Sequence, residues 1–123
     1  MNAKETELID FEIKFFEGII QDSPSFTRAL MALGDLYTKR GDYEKGLAVD
    51  LKLIQLCPTD PIVLYNLACS YSLTNDVQKA FETIKRAIEC GYDNFKYLLT
   101  DPDLKNVNED DRFQTYLSQF KTK

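Results

Sequence analysis

Apolar positions recur at helical spacing along nearly the whole chain. From Leu8 to Ile20 the residues Leu8, Ile9, Phe11, Ile13, Phe15, Phe16, Ile19 and Ile20 alternate with a polar face of Asp10, Lys14, Glu17 and Gln21, which predicts an amphipathic helix. Asp22, Ser23 and Pro24 end it. A second periodic stretch runs from Ser25 to Arg40 and stops at Gly41, where glycine adopts a left-handed C-cap at least cost. Asp42 is placed to cap a third helix from Tyr43 to about Cys57, closed by Pro58. Asp60 followed by Pro61 is a cap with proline at the first helical position and opens a helix to Leu73. After a turn at Asn75 and Asp76, Val77 to Cys90 forms the next, and Gly91 ends it. The turns between partners are only a few residues long, so each pair must lie antiparallel.

The second pair copies the first at a distance of 34 residues. Leu30, Leu33, Gly34 and Tyr37 are answered by Leu64, Leu67, Ala68 and Tyr71, and Gly46, Leu53 and Pro58 by Ala80, Ala87 and Tyr92. A fixed period of this length is the signature of stacked repeats. Pro24 precedes Pro58 by the same interval, so the first helix reads as the second half of a unit. After Gly91 the copy weakens: Asp101-Pro102 interrupts the pattern, short helices are expected near Leu98 and Leu104, and a last one from about Asp110 turns Phe113, Leu117 and Phe120 inward. These residues can cover the open side of the second pair, as the end of an array requires.

The pattern Leu30-x-x-Leu33-Gly34-x-x-Tyr37 with Gly46, Leu53 and Pro58, repeated as Leu64-x-x-Leu67-Ala68-x-x-Tyr71 with Ala80 and Ala87, closely resembles the tetratricopeptide repeat. The resemblance implies an all-α fold in which antiparallel helix pairs stack as a short right-handed α-solenoid. A single repeat domain over 1–123 is expected: a half-repeat helix at 4–24, repeat one at 25–60, repeat two at 61–92, and a degenerate third repeat at 93–123 acting as C-terminal cap. It also implies protein recognition, with the first helices of successive units lining a concave groove for a peptide or helix. In the family's register that lining comprises Arg28, Met31, Asp35, Thr38 and Lys39 from the first unit and Ile62, Tyr65, Asn66, Cys69 and Ser72 from the second. One subfamily grips acidic chaperone C-termini through a clamp of Lys, Asn, Asn, Lys and Arg. Asn66 and Lys96 match that clamp, but Met31, Asp35 and Thr100 do not, and Asp35 favours a partner bearing Lys or Arg.

Two acids depart from the family pattern on faces directed to the core. Asp50 stands where a large aromatic is usual, and is expected to meet the hydroxyl of Tyr37 or Tyr71 or to tilt into solvent, since an unpaired buried charge is costly, the alternative being a polar contact for a partner. Glu12 lies on the apolar side of the first helix. That helix has more apolar surface than one neighbour can cover, so Leu8, Phe11, Phe15 and Ile19 are expected to form an exposed association patch around Glu12. A self-associating structural subunit, such as a homodimer, is therefore the alternative to a peptide-binding module.

Composition narrows the partners. With 20 acidic and 15 basic residues the formal charge is −5, so there is no cationic excess for nucleic acid or an anionic membrane, and a basic or apolar protein partner fits better. No histidine is present, which removes the commonest general base and metal ligand. Neither a phosphate-binding loop nor a nucleophile elbow occurs. Counting a calcium loop from Asp101 puts Lys105, Asn106 and Arg112 at positions that need other residues. No catalytic residue, metal or cofactor is expected, so the chain is not read as an enzyme. Cys57, Cys69 and Cys90 lack metal or redox spacing and are expected as reduced thiols. The opening MNAKETELID lacks the basic-then-apolar order of a signal peptide, and the cytoplasm is the expected location.

Overall fold

A computed structural model describes residues 1–120 as helices joined by short turns, with no strand among them. The chain divides into two compact units, Met1–Pro58 and Thr59–Lys123.

The first unit holds three helices. Helix α1 (Ala3–Asp22) opens with the Asn2 side chain accepting from the Glu5 N–H and ends at Ser23, just before Pro24. Helix α2 (Thr27–Arg40) ends where Gly41 turns to φ 88°. Helix α3 (Tyr43–Leu56) follows at once. Ser25 and Phe26 stay outside α2, and Asp42 occupies the N-cap position of α3 without making the side-chain bond expected of it. The core joins α1 to α2: Ile13, Leu33, Leu36 and Tyr37 are buried, with Ile9, Phe16, Ile20 and Val49 packed around them. Two polar ties lie beside it, the Tyr37 hydroxyl donating to Glu17 and the Arg40 guanidinium donating to Asp10 at 2.8 Å.

Close helix packing in this unit depends on two glycines. A Cβ at Gly34 would come within 3.2 Å of Asp50 Oδ1 and 3.5 Å of Val49 Cγ1, and one at Gly46 would meet Thr38 Oγ1 at 3.1 Å. Asp50 is therefore buried against the backbone of α2, not tilted into solvent. Nor does it receive the Tyr37 proton, which goes to Glu17.

The second unit begins with α4 (Pro61–Leu73), whose cap Asp60 accepts from the N–H groups of Ile62 and Val63. Asn75, at φ 67°, turns the chain into α5 (Val77–Glu89), capped by Asp76. Beyond Gly91, at φ 112°, come α6 (Phe95–Thr100), a 3₁₀ turn (Pro102–Leu104), α7 (Lys105–Asn108) and α8 (Asp111–Ser118). Leu64, Ala68, Ala80, Ile84 and Ala87 form the α4–α5 seam, and Leu98, Leu104, Val107 and Phe113 close it from the C-terminal side, all fully buried. Two hydrogen bonds tie the closing segment back to the helix pair: Asn106 donates to the Ser72 carbonyl and Arg112 to Gln78, each pair 34 residues apart. Around Asp101-Pro102 the chain forms three short pieces, of which the 3₁₀ turn and α7 pack against α4. The last three residues of the expected cap, 121–123, lie outside the described residues. No helix among the described residues is long and apolar enough to cross a membrane.

Candidate interaction surfaces

On α2, the residues assigned to recognition form one outward stripe, because positions three, four and seven apart share a helix face. Arg28, Asp35 and Lys39 are exposed and Met31 is half-buried. Partial burial pushes the Asp35 carboxyl upward in pKa, and Lys39 one turn along opposes that shift. Thr38 differs from its neighbours. Its hydroxyl donates to the Gly34 carbonyl at 3.1 Å and abuts Gly46, so it serves the α2–α3 contact. The stripe thus offers a thioether flanked by charges of both signs, a surface able to orient a polypeptide as well as bury part of it.

The equivalent stripe on α4 is largely closed. Ile62 is exposed and Asn66 half-buried, but Tyr65 retains only 5% of its exposure, and Cys69 and Ser72 are also buried. The covering comes from residues of the same unit. The Tyr65 ring stacks on Tyr92 with centroids 4.4 Å apart, and its hydroxyl donates to Asp101 Oδ2 at 2.6 Å. Cys69 Sγ lies 3.8 Å from the same oxygen. Asp101 Oδ1 accepts from the Asp103 N–H, capping the 3₁₀ turn. Burial first, and then the bond to Asp101, push the Tyr65 hydroxyl far above its ordinary pKa. Asp103 is also raised, by burial and by the neighbouring Asp101 charge.

Cys69, Asp101 and Asp103 bring three potential ligand atoms within 4.8 Å of one another. Asp101, however, already receives the Tyr65 hydroxyl and a backbone N–H, the arrangement of a buried hydrogen-bond hub. Tyr65, Cys69 and Ser72 are accordingly core residues of the second unit, and the open part of the α4 stripe is reduced to Ile62 and Asn66. Asp101 is the residue that sequence reasoning misses. In the sequence it figures as part of a helix-breaking dipeptide and as the start of a calcium loop that fails, whereas its carboxylate accepts from Tyr65 on α4 and from the backbone of the closing segment.

Two apolar features lie elsewhere. A cleft of about 240 Å³ between α6 and α8 is lined by Phe95, Leu99, Gln114, Leu117 and Phe120. On α1, Leu8, Phe11 and Phe15 are exposed and Ile19 is half-buried, on the face turned away from Ile9, Ile13, Phe16 and Ile20.

Comparison with known proteins matches two family models, both described as tetratricopeptide repeat, to residues 27–60 and 51–82. A chloroplastic protein of Arabidopsis thaliana is 33% identical over 87 residues, covering 68% of this chain and 26% of that protein. The peroxisomal targeting signal receptor of Komagataella phaffii is 32% identical over 77 residues, covering 63% of this chain and 13% of the receptor. The receptor of the same name from Pichia angusta is 30% identical over 100 residues, 80% of this chain and 17% of its own length. The chain therefore spans about a quarter or less of the length of these relatives.

Proposed function

From the chain's membership of the tetratricopeptide repeat family, we propose that it is a non-catalytic interaction module, an adaptor or assembly factor, that holds a peptide or helix of a partner protein. The observation that carries this reading is the outward stripe of Arg28, Met31, Asp35 and Lys39 on α2, accessible beside a well-packed core. Ile62 and Asn66 on α4 are the open positions that the second unit offers to a polypeptide. Two relatives are named as receptors for a targeting signal, which supports a polypeptide as ligand. Asp35 and the overall negative charge favour a segment containing Lys or Arg next to an apolar anchor for Met31.

The test begins with selection of binding peptides from a displayed random library, followed by titration of the best sequence. Asp35→Lys and Arg28→Glu should each weaken binding by about tenfold or more, the scale of a charged contact within an interface, with the melting temperature unchanged. Selected peptides whose affinity is indifferent to both substitutions would place recognition elsewhere.

A further inference from the structure

Helix α1 carries a second apolar face, offset around the helix from its core face and built with the same alternation of four- and three-residue steps. Lys4, Leu8, Phe11, Phe15, Gly18 and Asp22 are separated alternately by four and three residues, a period of about 3.5, which is the seam of a coiled coil. The core-directed residues Ile9, Ile13, Phe16 and Ile20 lie on a different side. The seam is open: Leu8 is 59% exposed, Phe11 67% and Phe15 56%, and a Cβ built on Gly18 meets no atom within 4 Å. Phe15 is already oriented, since its ring meets Phe16 edge-on at 5.2 Å.

The order of residues along this seam matches its own reverse. If a second α1 lies antiparallel with the two-fold axis at the level of Ile13, Phe11 faces Phe15 of the other copy, and Leu8 faces the gap at Gly18. Lys4 then faces Asp22. Large meets small at Leu8 and Gly18, ring meets ring at Phe11 and Phe15, and opposite charges meet at Lys4 and Asp22. Helix dipoles agree with the pairing, because α1 has no basic residue in its last turn and ends on Asp22, a poor charge for a helix C-terminus. An antiparallel neighbour would bring Lys4 to that end. We infer that the N-terminal helix is a homodimerisation surface, two copies of α1 pairing antiparallel through Leu8, Phe11, Phe15 and Gly18 with Lys4–Asp22 ion pairs at both ends.

The dimer is weak. A buried aromatic side chain contributes about 150–250 Å², so at these exposures the two stripes together offer on the order of 600 Å² of apolar surface. That is below the roughly 1,200–2,000 Å² of a stable complex. Glu12, half-buried beside the seam, faces its own copy near the axis and weakens the pairing further. Association in the range of tens of micromolar is expected.

Sedimentation velocity of the full chain from about 1 to about 200 µM tests this, a range that brackets such a constant. The wild-type sedimentation coefficient should climb with concentration, while Phe11→Glu should remain monomeric with an unaltered circular dichroism spectrum. Lys4→Glu, a surface change that leaves the fold intact, should weaken the dimer about fivefold, and Lys4→Glu with Asp22→Lys should recover to within about twofold, since surface ion pairs act on this scale. Recovery by the exchange is unique to antiparallel pairing, because a parallel pair would set each residue against itself. A wild type that stays monomeric throughout would overturn the inference and leave the seam to another part of a longer chain or to a different protein. A dimer that survives Phe11→Glu, or an exchange that fails to restore it, would overturn it equally.

Discussion

Replacing Tyr65 with Phe removes one oxygen and tests whether the second repeat's face is a binding surface or an internal seam. In the structure that hydroxyl donates to Asp101 Oδ2 at 2.6 Å in a buried setting, while the ring stays stacked on Tyr92. The substitution leaves the stack in place and deprives a buried carboxylate of a strong donor. Hydrogen bonds to charged groups are worth about 1.5–3 kcal/mol, and for a chain of this size each kcal/mol moves the melting temperature by about 3–5 °C. Tyr65→Phe should therefore melt roughly 5–15 °C below the wild type.

Urea and thermal unfolding followed by circular dichroism measure this, and a double-mutant cycle with Asp101→Asn should show that the two losses are not additive. The pH dependence has a fixed direction. Folding raises the Tyr65 pKa above its ordinary value of 10.0, so the folded chain holds this proton more tightly than the unfolded one. The contribution is complete below about pH 10 and is lost as the pH climbs beyond it. The alkaline fall in melting temperature should be shallower in Tyr65→Phe. A variant as stable as the wild type, with coupling to Asp101 near zero, would refute the reasoning and return Tyr65 to the binding face.

The remaining predictions concern packing. Leu33→Ala and Leu67→Ala, both at buried positions, should each cost roughly 2–5 kcal/mol in denaturant unfolding. Two glycines in helices should respond in opposite directions to alanine. Gly18→Ala, in open space, should stabilise by about 0.5–1 kcal/mol through helix propensity. Gly34→Ala should destabilise despite the same gain, because its methyl group would press on Asp50 Oδ1; unfolding midpoints of the two variants decide.

The helices are legible in the sequence because their determinants are local: hydrophobic period, Asp60-Pro61 at one helix start, and Gly41 and Gly91 at two ends. The 34-residue repeat is legible for the same reason, since matching residues solve the same packing problem. The status of the α4 face is not. Tyr65, Cys69 and Ser72 sit at positions that the family leaves open, and only the return of residues 92–106 over them, anchored by Asp101, makes them core. That is a contact across 36 residues, and no local pattern encodes it. Asp50 likewise looks in the sequence like an anomaly of its own helix, whereas in the structure it lies buried where Gly34 of another helix leaves room for it. The α1 face is legible in part. Its excess of apolar residues points to exposure, and the structure shows which of them are open.

The central claim, that this repeat module recognises a polypeptide through the outward face of α2, is tested most directly by nuclear magnetic resonance. Backbone amide shifts of the labelled chain would be followed during titration with a display-selected peptide. The account predicts that the largest changes fall on Arg28, Met31, Asp35 and Lys39, and vanish in Asp35→Lys. Changes concentrated on α3 or α5, with the α2 stripe silent at saturation, would contradict it.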